Sequence, residues 1–426
     1  MKLTNEVKNP SIKFRLTIMS FLQFFVWGAW LITIANYWFG TKHWGPVDFG
    51  DVFMTLGISS LIMPALTGII ADRWVNAERL YGVLHLISGA LIFYIPQVND
   101  SSSFFWFMLL AMLFYMPTIA LSNSVAYNTL KSNNYNVIKA FPPIRVWGTI
   151  GFIAAMWTTN LTGSKASETQ FYISAAASLI LGLYSFTLPK CLPNTNSDSK
   201  GFIETLGLNA FKLFKDSKMA MFFIFAMFLG AALQLTNMYG DRFVDNFKDV
   251  PKYADLLVVK YSTIIMSISQ ISETLFILAI PFFLNKFGIK KVVLISMISW
   301  VLRFGLLAYS NPDNRLWMII LSCIVYGMAF DFFNVSGSLF VETQTDSKIR
   351  SSAQGLFMMM VNGIGAIIGS FSSGYIIETF FTKKDGSFEW EGIWVTFAVY
   401  AAIISVLFAV LFKHKHNPED VKQVSH

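Results

Sequence analysis

Tyr326-Gly-Met-Ala-Phe-Asp331-Phe-Phe-Asn334 decides how this chain is read, because of where the stretch lies. It sits inside a run from 316 to 340 that is otherwise almost wholly apolar. A helix of roughly 20 such residues, rising ~1.5 Å at each, covers the hydrocarbon core of a bilayer. Asp331 would then lie within the membrane, where a carboxylate costs at least ~2.5 kcal/mol on insertion scales. Helical offsets sort the segment into two adjacent stripes. Gly327, Asp331 and Asn334 form a polar one, and Tyr326, Phe330 and Phe333 an aromatic one. An acid beside ring faces is costly to bury in lipid and well suited to the wall of a solute cavity.

Composition carries the same message over the whole chain. Of 426 residues, 54% are hydrophobic and only 13% charged, where a soluble protein is about one-quarter charged. The apolar residues come in long blocks, so the chain reads as an all-α polytopic membrane protein. The 16% aromatic content suits interfacial belts and a ring-lined cavity. A net charge of +7 invites a nucleic-acid reading, but the basic residues sit between the apolar blocks, where they set orientation. Cys191 and Cys323 fall in a loop and a span, which suggests no disulfide framework. The basic start (Lys2, Lys8, Lys13, Arg15) precedes an apolar run too long for a cleavable signal, so the first span reads as uncleaved.

Twelve spans are predicted, at 16–39, 49–71, 80–98, 103–128, 142–161, 169–188, 219–240, 256–284, 291–310, 316–340, 354–378 and 393–412. The longest polar interruption, 189–218, divides them into an N-terminal six-helix bundle (1–188) and a C-terminal bundle with a short tail (219–426). Within that linker, 202–214 has apolar residues at helical spacing between lysines, the pattern of a short helix on the membrane surface. With both termini cytoplasmic, the inner segments hold more than twice as many Lys and Arg as the outer loops. That asymmetry orients the chain. The segment 241–255 then reads as an outer loop rich in mixed charge. An internal repeat supports the division: Gly68-Ile-Ile-Ala-Asp72-Arg73 closes the second span, and Asn285-Lys-Phe-Gly288 with Lys290 and Lys291 closes the eighth. The first resembles the loop signature of the major facilitator superfamily, and the second a degraded copy. Asp72 and Arg73 are therefore candidate gating residues, against the plainer reading of a positive-inside loop.

A transporter of this kind places its solute near the midplane between the halves. Polar residues deep in spans and sharing a helical face are thus the candidates. These are Gln23, Trp27 and Trp30; Asn123 and Tyr127; Arg145, Thr149 and Phe152; Gln234 and Asn237; Gln270 and Glu273; Tyr326, Phe330 and Asp331; and Asn362. Each has a structural alternative. A lone amide in a span is about as often interhelical glue as a ligand contact. Arg145 is near enough to its span end to snorkel, and Arg303 reads as snorkelling or as the partner of an acid, with no site role. His85 reads as a helix-contact residue sooner than a proton relay. Glu273 and Asp331 resist the structural reading best, because an acid in a span is functional by default. The histidines and cysteines show no metal-ligand spacing, and no nucleophile motif or phosphate loop is present, which argues against an enzyme. Side-chain amides donate and accept as nucleobase edges and ribose hydroxyls require. Aromatic faces can stack on a base for ~1–3 kcal/mol, by analogy with single-stranded nucleic acids. An acid beside them can change protonation as its access to water changes. That inventory suits proton-coupled uptake of a neutral, polar, ring-bearing solute, and physics alone would serve a sugar almost as well.

At these motifs the sequence resembles the nucleoside permeases of the nucleoside:proton symporter family, within the major facilitator superfamily. The resemblance runs nearly end to end. It is carried by Phe141-Pro-Pro-Ile-Arg-Val-Trp-Gly-Thr-Ile-Gly-Phe152, Ser267-Ile-Ser-Gln-Ile-Ser-Glu-Thr-Leu-Phe-Ile277 and 326–334, with Ser20-Phe-Leu-Gln-Phe, Trp27-Gly28 and Met63-Pro-Ala-Leu. It implies a bacterial inner-membrane symporter of purine and pyrimidine nucleosides, without cofactor and with the proton as coupling ion. The nucleoside contacts it implies are Arg145, Thr149, Phe152, Gln234, Asn237, Gln270, Glu273, Tyr326 and Phe330. Asp331 would matter for coupling, with Glu273 next in line. The partners expected are nucleoside, proton and lipid bilayer but no nucleic acid, with the protein working as a monomer. Rival readings are a narrower, xanthosine-type or sugar permease, and a membrane receptor that binds without moving its solute.

Overall fold

The computed structural model describes residues 10–193, 208–346 and 349–414. Those residues are overwhelmingly helical, and the only β pairing among them is an isolated bridge between Thr382 and Phe388. Eight helices among the described residues are long and apolar enough to cross a membrane, from Pro46–Arg73 to Trp390–Leu411. Three other long helices are Pro10–Gly28, Val137–Leu161 and Thr169–Ser185. Several starts are fixed by short polar side chains that accept otherwise unsatisfied backbone N–H groups. Asp100 accepts from Ser103 (2.8 Å), Asn136 from Lys139 (3.1 Å) and Asp216 from Lys218 (2.8 Å). The run Ile268–Ala308 is broken at Gly288, whose φ of 75° and ψ of 167° only glycine adopts freely. Two helices therefore meet there, at the degraded repeat motif.

Contacts sort the chain into two compact units, Met1–Leu31 with Ile62–Lys200 and Ile32–Leu61 with Gly201–His426. In the first, Leu16, Tyr81, Val125, Leu130 and Leu181 share one apolar core. Lipid offers helices little hydrophobic reason to associate, so close backbone approach at small residues matters more than in water. A Cβ on Gly28 would lie 2.6 Å from the Phe152 carbonyl oxygen, so helices Pro10–Gly28 and Val137–Leu161 run backbone against backbone. In the second unit, Gly327 meets Ser272 in the same manner, with a Cβ 2.7 Å from its backbone. The Ser272 hydroxyl also donates to the Ile324 carbonyl. That crossing brings the Ile268–Ala308 helix, with Gln270 and Glu273, against the Leu316–Gln344 helix, with Tyr326, Phe330 and Asp331.

Two expectations are modified. Of the proposed surface helix, 202–207 lie outside the described residues; Leu208–Lys215 forms a 3-10 helix whose Phe214 ring packs on Phe223 at 5.6 Å. The segment 241–255 is not wholly a loop, since the Ser217–Asp245 helix runs on through its first residues. Neighbouring side chains satisfy part of the charge there. Asp241 is buried and accepts from Asn36 Nδ2 (2.6 Å) and Thr263 Oγ1 (3.2 Å), while Asp245 pairs with Lys248 (2.7 Å) and Arg242 (3.5 Å).

Candidate functional site

In the first unit the candidate residues lie on the Val137–Leu161 helix, and Pro10–Gly28 supplies their neighbours. The Arg145 guanidinium lies over the Phe24 ring, 4.0 Å from its centroid, which holds the cation against an aromatic face. Thr149 and Phe152 follow on the same face, both partly exposed. The Phe152 ring meets Trp27 edge-on at 6.4 Å, and the buried Trp27 Nε1 donates to no acceptor among the described residues. Trp27 thus stays with the site candidates, whereas Gln23 leaves them. Its carboxamide is fully buried in a closed network, donating to Thr118 Oγ1 (2.9 Å) and accepting from Tyr81 OH (2.6 Å) and His85 Nε2 (2.9 Å). His85 Nδ1 faces Ser178 Oγ at 3.0 Å. Both His85 ring nitrogens are occupied, as the helix-contact reading required.

The second unit holds the other set. Tyr326 and Phe330 lie parallel, with 5.9 Å between ring centroids and 3° between planes, so the aromatic stripe forms one flat-faced pair. Asp331 is 4% exposed, and its Oδ2 has no hydrogen-bond partner among the described residues. Glu273 follows Ser272, where its helix crosses the Leu316–Gln344 helix at Gly327, so the two acids and the phenol lie on crossing helices. Gln234 and Asn237 lie on the Ser217–Asp245 helix and Gln270 precedes Glu273; the buried oxygens of Gln234 and Gln270 accept no hydrogen bond from the described residues. A buried amide or acid without a protein partner keeps its full desolvation penalty, ~1–3 kcal/mol, until something else bonds to it. Asp72 and Arg73 are exposed at the end of the Pro46–Arg73 helix and belong to neither set.

Arg303 departs most from the sequence reading. It does not snorkel: it is wholly buried, and among the described residues no carboxylate lies within salt-bridge reach of it. Nε donates to Thr236 Oγ1 (3.2 Å), and Nη1 to the Ser322 carbonyl (2.7 Å) and Ser269 Oγ (3.4 Å). The guanidinium sits over the Tyr326 ring at 4.6 Å. Only the convergence of four helical segments reveals this, and no spacing in the sequence signals it.

Comparison with known proteins assigns the pattern. The model of the Nucleoside H+ symporter family matches residues 10–417. The chain is similar to the xanthosine permease of Escherichia coli (strain K12), 49% identical over 97% of this chain and 98% of that one. It is similar also to the nucleoside permease NupG of the same organism, 45% identical over 98% of this chain and 100% of the relative. The crystal structure of an aspartate-to-alanine variant of the nucleoside transporter NupG superposes with a TM-score of 0.92 at 46% identity, covering 94% of this chain and 100% of that one. The helical fold is therefore of the major facilitator type, and the chain belongs to the nucleoside H+ symporter family.

Proposed function

We propose that this protein takes up purine and pyrimidine nucleosides together with protons, by alternating access. The observation that carries the reading lies in the second unit. Two intramembrane carboxyl groups on crossing helices, Asp331 and Glu273, accompany the parallel Tyr326–Phe330 pair in a chain of the nucleoside H+ symporter family. Aromatic faces take a base, amides take hydroxyls and base edges, and an intramembrane acid carries a proton. In this reading Phe152, Tyr326 and Phe330 hold the base. Gln234, Asn237, Gln270 and Glu273 read the polar groups of base or ribose, and Thr149 and Arg145 hydrogen-bond the solute. Asp331 carries the coupling proton, loading with nucleoside on the outside and releasing to the cytoplasm after the nucleoside has left. Asp72 and Arg73 act in gating.

The architecture proposed with it has twelve spans in two six-helix bundles. Counting the broken Ser262–Ala308 run as two, and adding Pro10–Gly28, Val137–Leu161 and Thr169–Ser185, turns the eight apolar helices into twelve. The protein works as a monomer in a bacterial inner membrane, with both termini cytoplasmic, no cofactor and the proton as coupling ion. The test is uptake of labelled uridine into proteoliposomes with unlabelled competitors. Uridine, adenosine and xanthosine each compete in the expected result, and sugars do not. Uptake of sugar with none of uridine would overturn the solute assignment, and saturable binding without internal accumulation would overturn transport itself.

A further inference from the structure

Arg303 is a full positive charge in an apolar span with no ion-pair partner among the described residues, and its surroundings show what that charge is arranged around. A guanidinium donates only in its plane, while its faces remain free to stack. Here the in-plane donors go to Thr236, Ser269 and the Ser322 carbonyl, contributed by three different helical segments. The guanidinium carbon lies over the Tyr326 ring, 4.6 Å from its centroid, and that ring also meets Trp300 edge-on at 5.9 Å and Phe330 in parallel at 5.9 Å. Cys323, one turn from Tyr326, is the other titratable group that the guanidinium meets. The three in-plane bonds therefore fix the orientation of the cation. The cation and Trp300 in turn fix the ring, and the ring sets the plane of Phe330.

We infer that Arg303 is a positioning residue for nucleoside recognition, holding the Tyr326 ring in the plane that it presents, with Phe330, to the base. The inference rests on the uptake function proposed above and assigns that function a residue which touches no solute. Interhelical glue would need only an uncharged donor such as glutamine. An arginine is required where one group must bond three helical segments edgewise and stack on a ring at the same time. Lysine keeps the charge but offers neither the planar fork nor the flat face.

The experiment compares initial rates of uridine uptake by the wild type, Arg303→Lys, Tyr326→Leu and the double variant in proteoliposomes, normalised to inserted protein. Arg303→Lys keeps the cation but loses the fork and the flat face that orient the ring, so it should raise KM about tenfold while the maximal rate stays within about twofold. In the Tyr326→Leu background the same substitution should raise KM no further, because the ring it orients is gone. Thr236→Val and Ser269→Ala, which loosen the fork without removing the cation, should raise KM in the same direction by about threefold or less. These milder variants keep the inference testable if Arg303→Lys does not insert. An unchanged KM in Arg303→Lys, an equal KM rise with and without Tyr326, or a loss confined to the maximal rate would each overturn it. Failure of the wild type to take up uridine would instead overturn the uptake function, so the two failures are distinguishable.

Discussion

Two buried polar clusters, one in each unit, are built in opposite ways. Around Gln23 in the first, each group answers another. The carboxamide bonds Thr118, Tyr81 and His85, His85 reaches Ser178, and Tyr115 OH donates to the Gln23 carbonyl at 2.8 Å. The network is closed and built of groups that can all be neutral. In the second, Arg303 Nη2, Asp331 Oδ2, Gln234 Oε1 and Gln270 Oε1 are buried without a partner among the described residues, and the groups include a cation and an acid. Satisfied buried networks rigidify a core, whereas an unanswered polar atom is a standing cost that persists where function requires it. The contrast separates glue from site without reference to position in a span: Gln23 and Gln270 are both intramembrane glutamines, and only one has its bonds made.

The contrast can be broken by mutation. The largest effect is expected at Asp331→Asn, which should abolish accumulation driven by a proton gradient while leaving uridine counterflow measurable. Concentrative uptake by this variant would move the proton role elsewhere, with Glu273 next to be tested. Gln23→Leu should strand the partners of a closed network, lowering stability by about 2 kcal/mol in a thermal-shift assay while leaving KM unchanged in the protein that inserts. Gln270→Leu should do the reverse, raising KM about tenfold with little change in melting temperature, since it removes an oxygen with no protein partner and about one solute hydrogen bond. If Gln23→Leu raised KM and Gln270→Leu lowered stability, the distinction would fail. The smallest effect belongs to the exposed Lys252–Asp313 ion pair, 2.8 Å long. Asp313→Ala should leave the melting temperature unchanged within error, because surface pairs are screened by solvent and salt.

How much of this was legible in the sequence follows from what each inference needed. The intramembrane acid and the ring stripe at 326–334 needed only helical periodicity within one segment, and the structure makes Tyr326 and Phe330 a parallel pair. The break between the eighth and ninth spans showed as a Lys- and Gly-containing interruption, and it falls at Gly288. Pairings across helices were not legible. Whether Gln23 has its bonds made depends on Thr118, Tyr81 and His85, which lie on two other helices. Arg303 read as snorkelling because a long side chain near a span end usually escapes, and only Thr236, Ser269 and Ser322 together hold it inside. The end of the seventh span was set too early for a related reason. Charged residues signal water unless their partners are known, and Asn36 and Thr263 lie far from Asp241 in sequence.

The central claim is that proton and nucleoside move together through this chain. Its most direct measurement is labelled uridine in proteoliposomes with and without an imposed inward proton gradient, at zero membrane potential. The account predicts that the gradient drives uridine transiently above its external concentration, and that a protonophore returns it to equilibrium. Uridine entry that only equilibrates, at the same final level with and without the gradient, would contradict it.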